Sequence, residues 1–442
     1  MSQKLAIVTL GCEKNLVDSE VMMGLASDKG YEVIDNPEEA DVIVVNTCGF
    51  IDAAKAESVE TILSMAQLKE KGKAKAVLVA GCMAQRFQDE LITEIPEIDG
   101  LVGTGEYHRI DEVVQSALAG QKPRFVNNPV YIYDEWTPRK HAGGASAYIK
   151  IAEGCDHSCT FCIIPKMRGK FRSRPIESIV AEAEMLAAQG VKEIMLIAQD
   201  STQYGLDIYG KRRLPQLLEA LNEVEGIEWI RLHYAYPGFF TDELIDAFAR
   251  LPKVAKYIDM PLQHSEDHIL KAMQRPGHQA QIRKLVDKIR ARIPQISLRT
   301  SIIVGFPGET EQDFENLCAF VREIKFDHLG VFTYSPEEGT PSASMDGQVP
   351  EDVKERRANI LMEIGREIAM ERNARLVGQT LRVLIERRDE EDPDIWIGRT
   401  EYDAKEIDGV VYVSNLKDTK PGDMVPVRIT HAYDFDLAGE GV

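Results

Sequence analysis

Cys155, Cys159 and Cys162 place three thiols in the stretch GCDHSCTFC, spaced CxxxCxxC, in a chain that has only seven cysteines among 442 residues. On one loop, that spacing lets three thiolates face a single small object. A structural zinc ion wants four ligands, and His157 inside the loop could be the fourth. A four-iron cluster held by three thiolates instead leaves one iron open to bind a further molecule. Three unligated thiols are the remaining reading. A disulfide framework is disfavoured: the count is odd, and the first residues read as too short an apolar run for a secretory leader, with nowhere about 18 consecutive apolar residues, so the chain is expected in the reducing cytoplasm.

Three more cysteines close apolar runs. KLAIVTLGC, DVIVVNTC and KAVLVAGC are short, β-branched and separated by helical patterns, as buried parallel strands are. Right-handed crossovers would bring their carboxyl ends to one sheet edge, where open α/β sheets hold ligands, so Cys12, Cys48 and Cys82 could converge.

The elements that must position the CxxxCxxC loop follow a Pro- and Gly-rich stretch, residues 127–144, that reads as a linker. Six strand-like runs then alternate with helical patterns: AYIKIAEG, KEIMLIAQD, EWIRLHYAY, KYIDMPLQ, SLRTSIIVGFP and HLGVFTYSP. They form a (β/α) series short of a closed eight-unit barrel, with the cysteine loop just beyond the first strand and the working end at the strands' carboxyl ends. A long charged amphipathic helix is expected from about Pro350 to Gly378. Four alternating segments after it, TLRVLIERR, DIWIGRTEY, GVVYVSN and MVPVRITHAY, suggest a small antiparallel barrel. The expected class is α/β: an N-terminal open parallel α/β domain (1–126), the linker (127–144), a partial (β/α) barrel (145–374) and a small antiparallel β-barrel (375–442).

The CxxxCxxC loop at the end of a first barrel strand, with Phe161 before its last cysteine, resembles the radical S-adenosylmethionine superfamily. That resemblance implies a four-iron cluster on Cys155, Cys159 and Cys162. Its open iron would chelate S-adenosylmethionine and deliver the electron that releases a 5′-deoxyadenosyl radical. With LGCEKNLVDSE, VVNTCGFID and VAGCMAQ in the first domain and a TRAM-like terminal barrel, the chain resembles the methylthiotransferases from end to end. The resemblance implies a second 4Fe-4S cluster on Cys12, Cys48 and Cys82, and S-adenosylmethionine as both methyl donor and radical source. It also implies cofactor contacts around Phe161, Gly305, Gly308 and Glu309, while Gln199 is a cofactor candidate from its place after the second strand, with loop packing the alternative.

One branch of that family modifies transfer-RNA adenosine; another modifies the β-carbon of an aspartate in the twelfth protein of the small ribosomal subunit. GCEKNLVDSE, CTFCIIPKMRG, DMPLQH and GRTEYDAKEIDGVVYV resemble the protein branch. Charge agrees. The chain carries a net −20, and from Arg375 onward nine basic residues stand against fifteen acidic ones. Such a surface attracts a basic ribosomal protein and is unpromising for strong nucleic-acid binding. The implied partners are that protein and an electron donor, with no membrane. Transfer-RNA modification and a non-catalytic iron–sulfur or zinc module are the rival readings. Asp200, Tyr204, Gln263 and His264 lie at the correct strand ends for contacts. Lys166, Arg168, Lys170, Arg172 and Arg174 form either a carboxylate-binding or a solvated basic loop. Cys318, inside a helical pattern, reads as core.

Overall fold

The computed structural model describes residues 2–275 and 277–442. Its first sheet has strands β1 (Lys4–Thr9), β2 (Glu32–Val33), β3 (Val42–Thr47), β4 (Ala76–Gly81), β5 (Gly100–Val102) and β6 (Arg124–Phe125), ordered β2-β1-β3-β4-β5-β6 and parallel throughout. Every residue of β3 and β4 is buried, because helices cover both faces of the sheet. That double covering is why these strands read as unbroken apolar runs. The strands β2, β5 and β6 span two or three residues, too few to show a period.

Next come β7 (Ser146–Lys150), a hairpin of β8 (Ala152–Glu153) and β9 (Arg172–Ser173), then β10 (Glu193–Ile197), β11 (Trp229–Leu232), β12 (Val254–Asp259), β13 (Ser297–Val304) and β14 (His328–Thr333). The six long strands form one parallel sheet in the order β14-β13-β12-β11-β10-β7, an open six-unit barrel wall. The largest apolar core lies between this wall and its helices. The expected long helix runs Glu351–Ala374 and packs along the edge strand β14, where Gly365 lets it approach Leu329. Residues 375–378 leave it through a turn that ends on Gly378 at φ +86°.

The terminal barrel closes in the order β15-β16-β17-β19-β18, from β15 (Thr380–Arg388), β16 (Trp396–Thr400), β17 (Val411–Ser414), β18 (Met424–Ala432) and β19 (Leu437–Gly441). The expected all-antiparallel pairing needs one amendment: β17 and β19 pair in parallel, since β19 turns back from β18 to fill the remaining gap. The barrel seats on the amino ends of the central strands. Arg399 donates to Glu193, the first residue of β10, at 2.6 Å, and Arg231 donates to the same carboxylate at 2.8 Å. Burial opposes the Glu193 charge, but the two guanidinium groups outweigh it and hold its carboxyl well below the usual range. A depressed carboxyl contributes stability that is complete above the unfolded value of about 4.3 and disappears as pH falls toward the folded value. Unfolding free energy from denaturant melts is therefore expected to drop as pH falls below about 4.5, with a shallower drop in Glu193→Gln.

Residues 127–144 are more than a linker; they form a packed strap between the two sheets. Arg139 is buried and bonds Glu20 of the Glu13–Asp28 helix, Glu182 of the Ile176–Ala188 helix and the Tyr148 carbonyl. Tyr133, also buried, donates to Glu182. The Pro and Gly content that marked the stretch as loose allows a non-repetitive path, and its buried arginine and tyrosine fix that path.

Candidate active site

The adjacency of β1, β3 and β4 brings Cys12, Cys48 and Cys82 to one edge. Gly11, at φ +85°, is needed there: a Cβ would stand 2.7 Å from that of Cys48. Asn15, fully buried, donates to the carbonyls of Leu10 at 2.9 Å and Thr47 at 3.0 Å, and its Oδ1 is 3.9 Å from Cys82 Sγ. One amide thus ties together the three turns that carry the cysteines. Nothing in the type of a lone Asn in a helical pattern signals that role.

The second triad lies on the loop bracketed by the β8–β9 hairpin. Cys155 N donates to Gly169 O at 3.0 Å; Thr160 donates to the Met273 and Ala272 carbonyls, and Ser342 N donates to Thr160 O. The loop is pinned across the barrel mouth from both walls. Gly154 sits at φ +80°, where a Cβ would be 2.1 Å from the Lys170 carbonyl oxygen. Gly154→Ala is expected to displace this loop alone, so reconstituted protein should lose about half its iron without loss of the N-terminal sheet, read by iron assay and circular dichroism.

All seven cysteines are free thiols. Burial pushes Cys82, Cys155 and Cys162 up to about 12 each, so at neutral pH a bound cation must displace their protons. Among the described residues, neither triad brings its three ligand atoms within 4.8 Å of one another. A single tetrahedral zinc with Zn–S of about 2.3 Å needs sulfurs roughly 3.8 Å apart. Neither triad is therefore closed up as a single-zinc thiolate site. His157 does not complete a zinc set: its Nε2 is 2.6 Å from Asp200 Oδ2, and its ring stacks on Tyr236 at 4.5 Å. Arg275 Nη1 approaches Cys159 Sγ at 3.8 Å, a donor suited to an anionic thiolate.

The segment after the loop triad reaches the N-terminal one: Ile163, next to Cys162, and Met167, one helical turn on, pack on Cys82. Arg168, fully buried, donates to Asp18 at 2.8 Å, to Glu153 at 3.1 Å and to Asn15 Oδ1. Lys150 bonds the same two carboxylates. Gln199 donates to Glu153 at 2.7 Å while its own buried Oε1 lacks a partner, leaving an acceptor for a ligand donor.

The other candidates divide. Phe161 packs edge-on against Phe306, and Asp200 caps the turn that holds His157. Glu309 accepts from Gly305 N at 2.7 Å and from Arg357 at 2.8 Å, so its carboxylate holds the loop and the long helix together. Gly305 gives room to Lys354, and nothing stands within 4 Å of where a Gly308 Cβ would be. Tyr204 donates to Arg174 O; His264 is buried near Glu309; Gln263 takes φ +74° to bridge Ile302. The basic loop divides between solvent and interior. Arg168 and Arg174 are buried struts, Lys166 bonds the Gly339 carbonyl, Arg172 bonds the carbonyls of Lys170 and Tyr131, and Lys170 is exposed. Cys318 is core, as its helical pattern implies.

Family models match in three places: "Uncharacterized protein family UPF0004" over residues 4–103, "Radical SAM superfamily" over 149–321 and "TRAM domain" over 377–442. The ribosomal protein uS12 methylthiotransferase RimO of Desulfitobacterium hafniense is 51% identical over 445 residues, spanning 100% of this chain and 99% of its own. That of Clostridioides difficile is 48% identical over 438 residues, spanning 99% and 98%. Among solved structures, the radical S-adenosylmethionine methyltransferase TsrM of Kitasatospora setae, with cobalamin and a [4Fe-4S] cluster bound, superposes with a TM-score of 0.58 at 17% identity, over 77% of this chain and 74% of that one. It supports the fold alone. By full-length identity, motif placement and architecture, the chain belongs to the RimO family of radical S-adenosylmethionine methylthiotransferases.

Proposed function

We propose that this protein methylthiolates the β-carbon of an aspartate in ribosomal protein uS12, replacing C–H with C–SCH3. The observation that carries the reading is the meeting of two cysteine triads, from two separate sheets, across the buried Asn15–Arg168 contact. A barrel that made only a radical would not need the second triad. In this reading Cys155, Cys159 and Cys162 hold one four-iron cluster and Cys12, Cys48 and Cys82 the other. When bound, the first supplies the electron that cleaves S-adenosylmethionine to the 5′-deoxyadenosyl radical, and the second a place for the sulfur to be inserted.

The chain's own residues set the stage for that chemistry. The pinned loop fixes the first triad at the barrel mouth, and Asn15 and Arg168 hold the second triad opposite it. The Glu13–Asp28 helix lies over the barrel from above, with Glu13 accepting from Tyr234 at 2.6 Å and Lys14 stacked 3.4 Å above the Tyr234 ring. A covered mouth excludes water from a reactive carbon radical. Two S-adenosylmethionine molecules are consumed, one as methyl donor and one as radical source, and an electron donor is required. Among the described residues, no helix is long and apolar enough to cross a membrane. A cytoplasmic enzyme working beside the ribosome fits that.

Co-expression with uS12 in a strain lacking the activity tests the reading by intact and peptide mass. A gain of about 46 Da on the aspartate peptide is the mass of SCH3 replacing H, and an unmodified peptide would overturn the proposal. Nucleoside analysis of bulk transfer RNA from the same cells should show no new methylthioadenosine.

A further inference from the structure

Among the described residues, the guanidinium of Arg299 on the barrel wall makes an ion pair with Asp408 but no side-chain hydrogen bond. On β13, Leu298, Ile302 and Val304 point into the helical core, so Arg299, Ser301 and Ile303 face the lumen, and all three keep partial exposure. On β14, Leu329 and Val331 pack toward the core, which turns Gly330 and the half-exposed Phe332 to the same lumen. The Arg299 side chain is 12% exposed, and its ion-pair partner Asp408 Oδ1 is 3.9 Å from Nε, beyond hydrogen-bond reach.

Asp408 has other donors. It accepts from Tyr257 at 2.7 Å and Ala404 N at 2.8 Å, with His328 Nδ1 3.3 Å away. The Asp259 carboxylate, opposite Arg299 in register, accepts from Tyr234 N at 3.0 Å. These acids keep the guanidinium charged without occupying its fork. Gly330 gives the fork its position: a Cβ there would lie 3.3 Å from Arg299 Nη2 and 3.4 Å from Ser301 Oγ. The fork therefore lies over bare backbone beside Ser301, at the middle of β13.

We propose that Arg299 binds the side-chain carboxylate of the target aspartate. The inference rests on the uS12 reading and names the group that tells aspartate from other side chains. A planar guanidinium matches a carboxylate through two parallel hydrogen bonds, which an amide cannot reproduce. The location suits the reaction. Arg299 is in register with Asp259, whose carboxylate accepts from Tyr234 N, and Tyr234 donates to Glu13, the residue after Cys12, which links this part of the wall to the segment that carries the N-terminal triad.

The experiment compares anaerobically reconstituted wild type, Arg299→Lys and Arg299→Gln on uS12 carrying Asp or Asn at the target position. Binding is read by calorimetry and turnover by mass. Wild type should prefer the Asp protein by about tenfold to a hundredfold, and Arg299→Gln should lose that preference while keeping iron content and substrate-free cleavage of S-adenosylmethionine. Arg299→Lys should retain part of it. Equal losses on both substrates would make Arg299 a structural ion-pair partner of Asp408 and overturn the inference. A raised KM for S-adenosylmethionine with the Asp/Asn preference intact would assign the fork to that molecule's carboxylate and overturn it too. Failure of wild type to modify either form of uS12 would instead count against the functional reading itself.

Discussion

Replacing Cys12, Cys48 and Cys82 together by Ala should leave a protein that binds about four irons instead of about eight and still cleaves S-adenosylmethionine, yet forms no methylthio product. The expected fall in product is at least about a thousandfold, roughly 4 kcal/mol at the limiting step. The split follows from geometry. The loop triad is held by Gly169, Met273, Ala272 and Ser342, all within the central and following segments, and by no bond to the N-terminal cysteines. Cys48 and Cys82 are buried and Cys12 exposed, so three small truncations cost little packing. The reverse triple substitution at Cys155, Cys159 and Cys162 should abolish both cleavage and product while retaining the N-terminal irons. Iron and sulfide assays with 5′-deoxyadenosine chromatography separate the two cases. Retention of about eight irons in the first variant would remove the N-terminal site from the reaction.

Arg168→Ala is expected to be the most damaging single substitution outside the cysteines, at about 3–5 kcal/mol of unfolding free energy. Arg168 and Lys150 share Asp18 and Glu153 in a layer where every side chain is at most 5% exposed. Two cations balance two carboxylates, and removing one cation strands a negative charge away from water. Adding Asp18→Asn to Arg168→Ala should recover part of the loss, since it restores the charge count. Denaturant melts of the three proteins check this, and a double variant no better than the single would show that shape, not charge, dominates the layer. Arg168→Ala should also lower iron retention by the N-terminal triad, because Asn15 loses the donor that fixes its Oδ1.

Most of the wall and both triads were legible in the sequence because they rest on patterns of types. β-branched runs between helical periods gave six central strands in their observed places, and strand-end cysteines gave the convergent edge. The fifth strand of the terminal barrel was not legible: LAGEG has neither alternation nor β-branched residues, and it is a strand only because the gap between β17 and β18 needs a backbone. Gly439 serves there by its lack of bulk, as a Cβ would meet Val427 Cγ1 at 2.5 Å. The basic loop misled for a related reason. Charge on a loop usually means solvent, but Arg168 finds Asp18, 150 positions away, which no local pattern records, and Arg174 turns back to Glu182 in the helix that follows. Glu309 shows the same limit, since its strand-end location suggested a ligand contact while its oxygens serve Gly305 and Arg357.

The seat of the terminal barrel has a consequence for engineering and for descent. Arg399 and Asp408 reach from the barrel to Glu193 and Tyr257 at the base of the central wall, so the barrel is a stopper keyed to its bottle. A barrel transplanted from a relative without an arginine at 399 would leave Glu193 with Arg231 as its one cation, beside the Ser146 hydroxyl. A chimera made by exchanging whole modules should therefore fold poorly until both keys are restored. Lineages that traded one polymer substrate for another would have had to recut the stopper and the neck together.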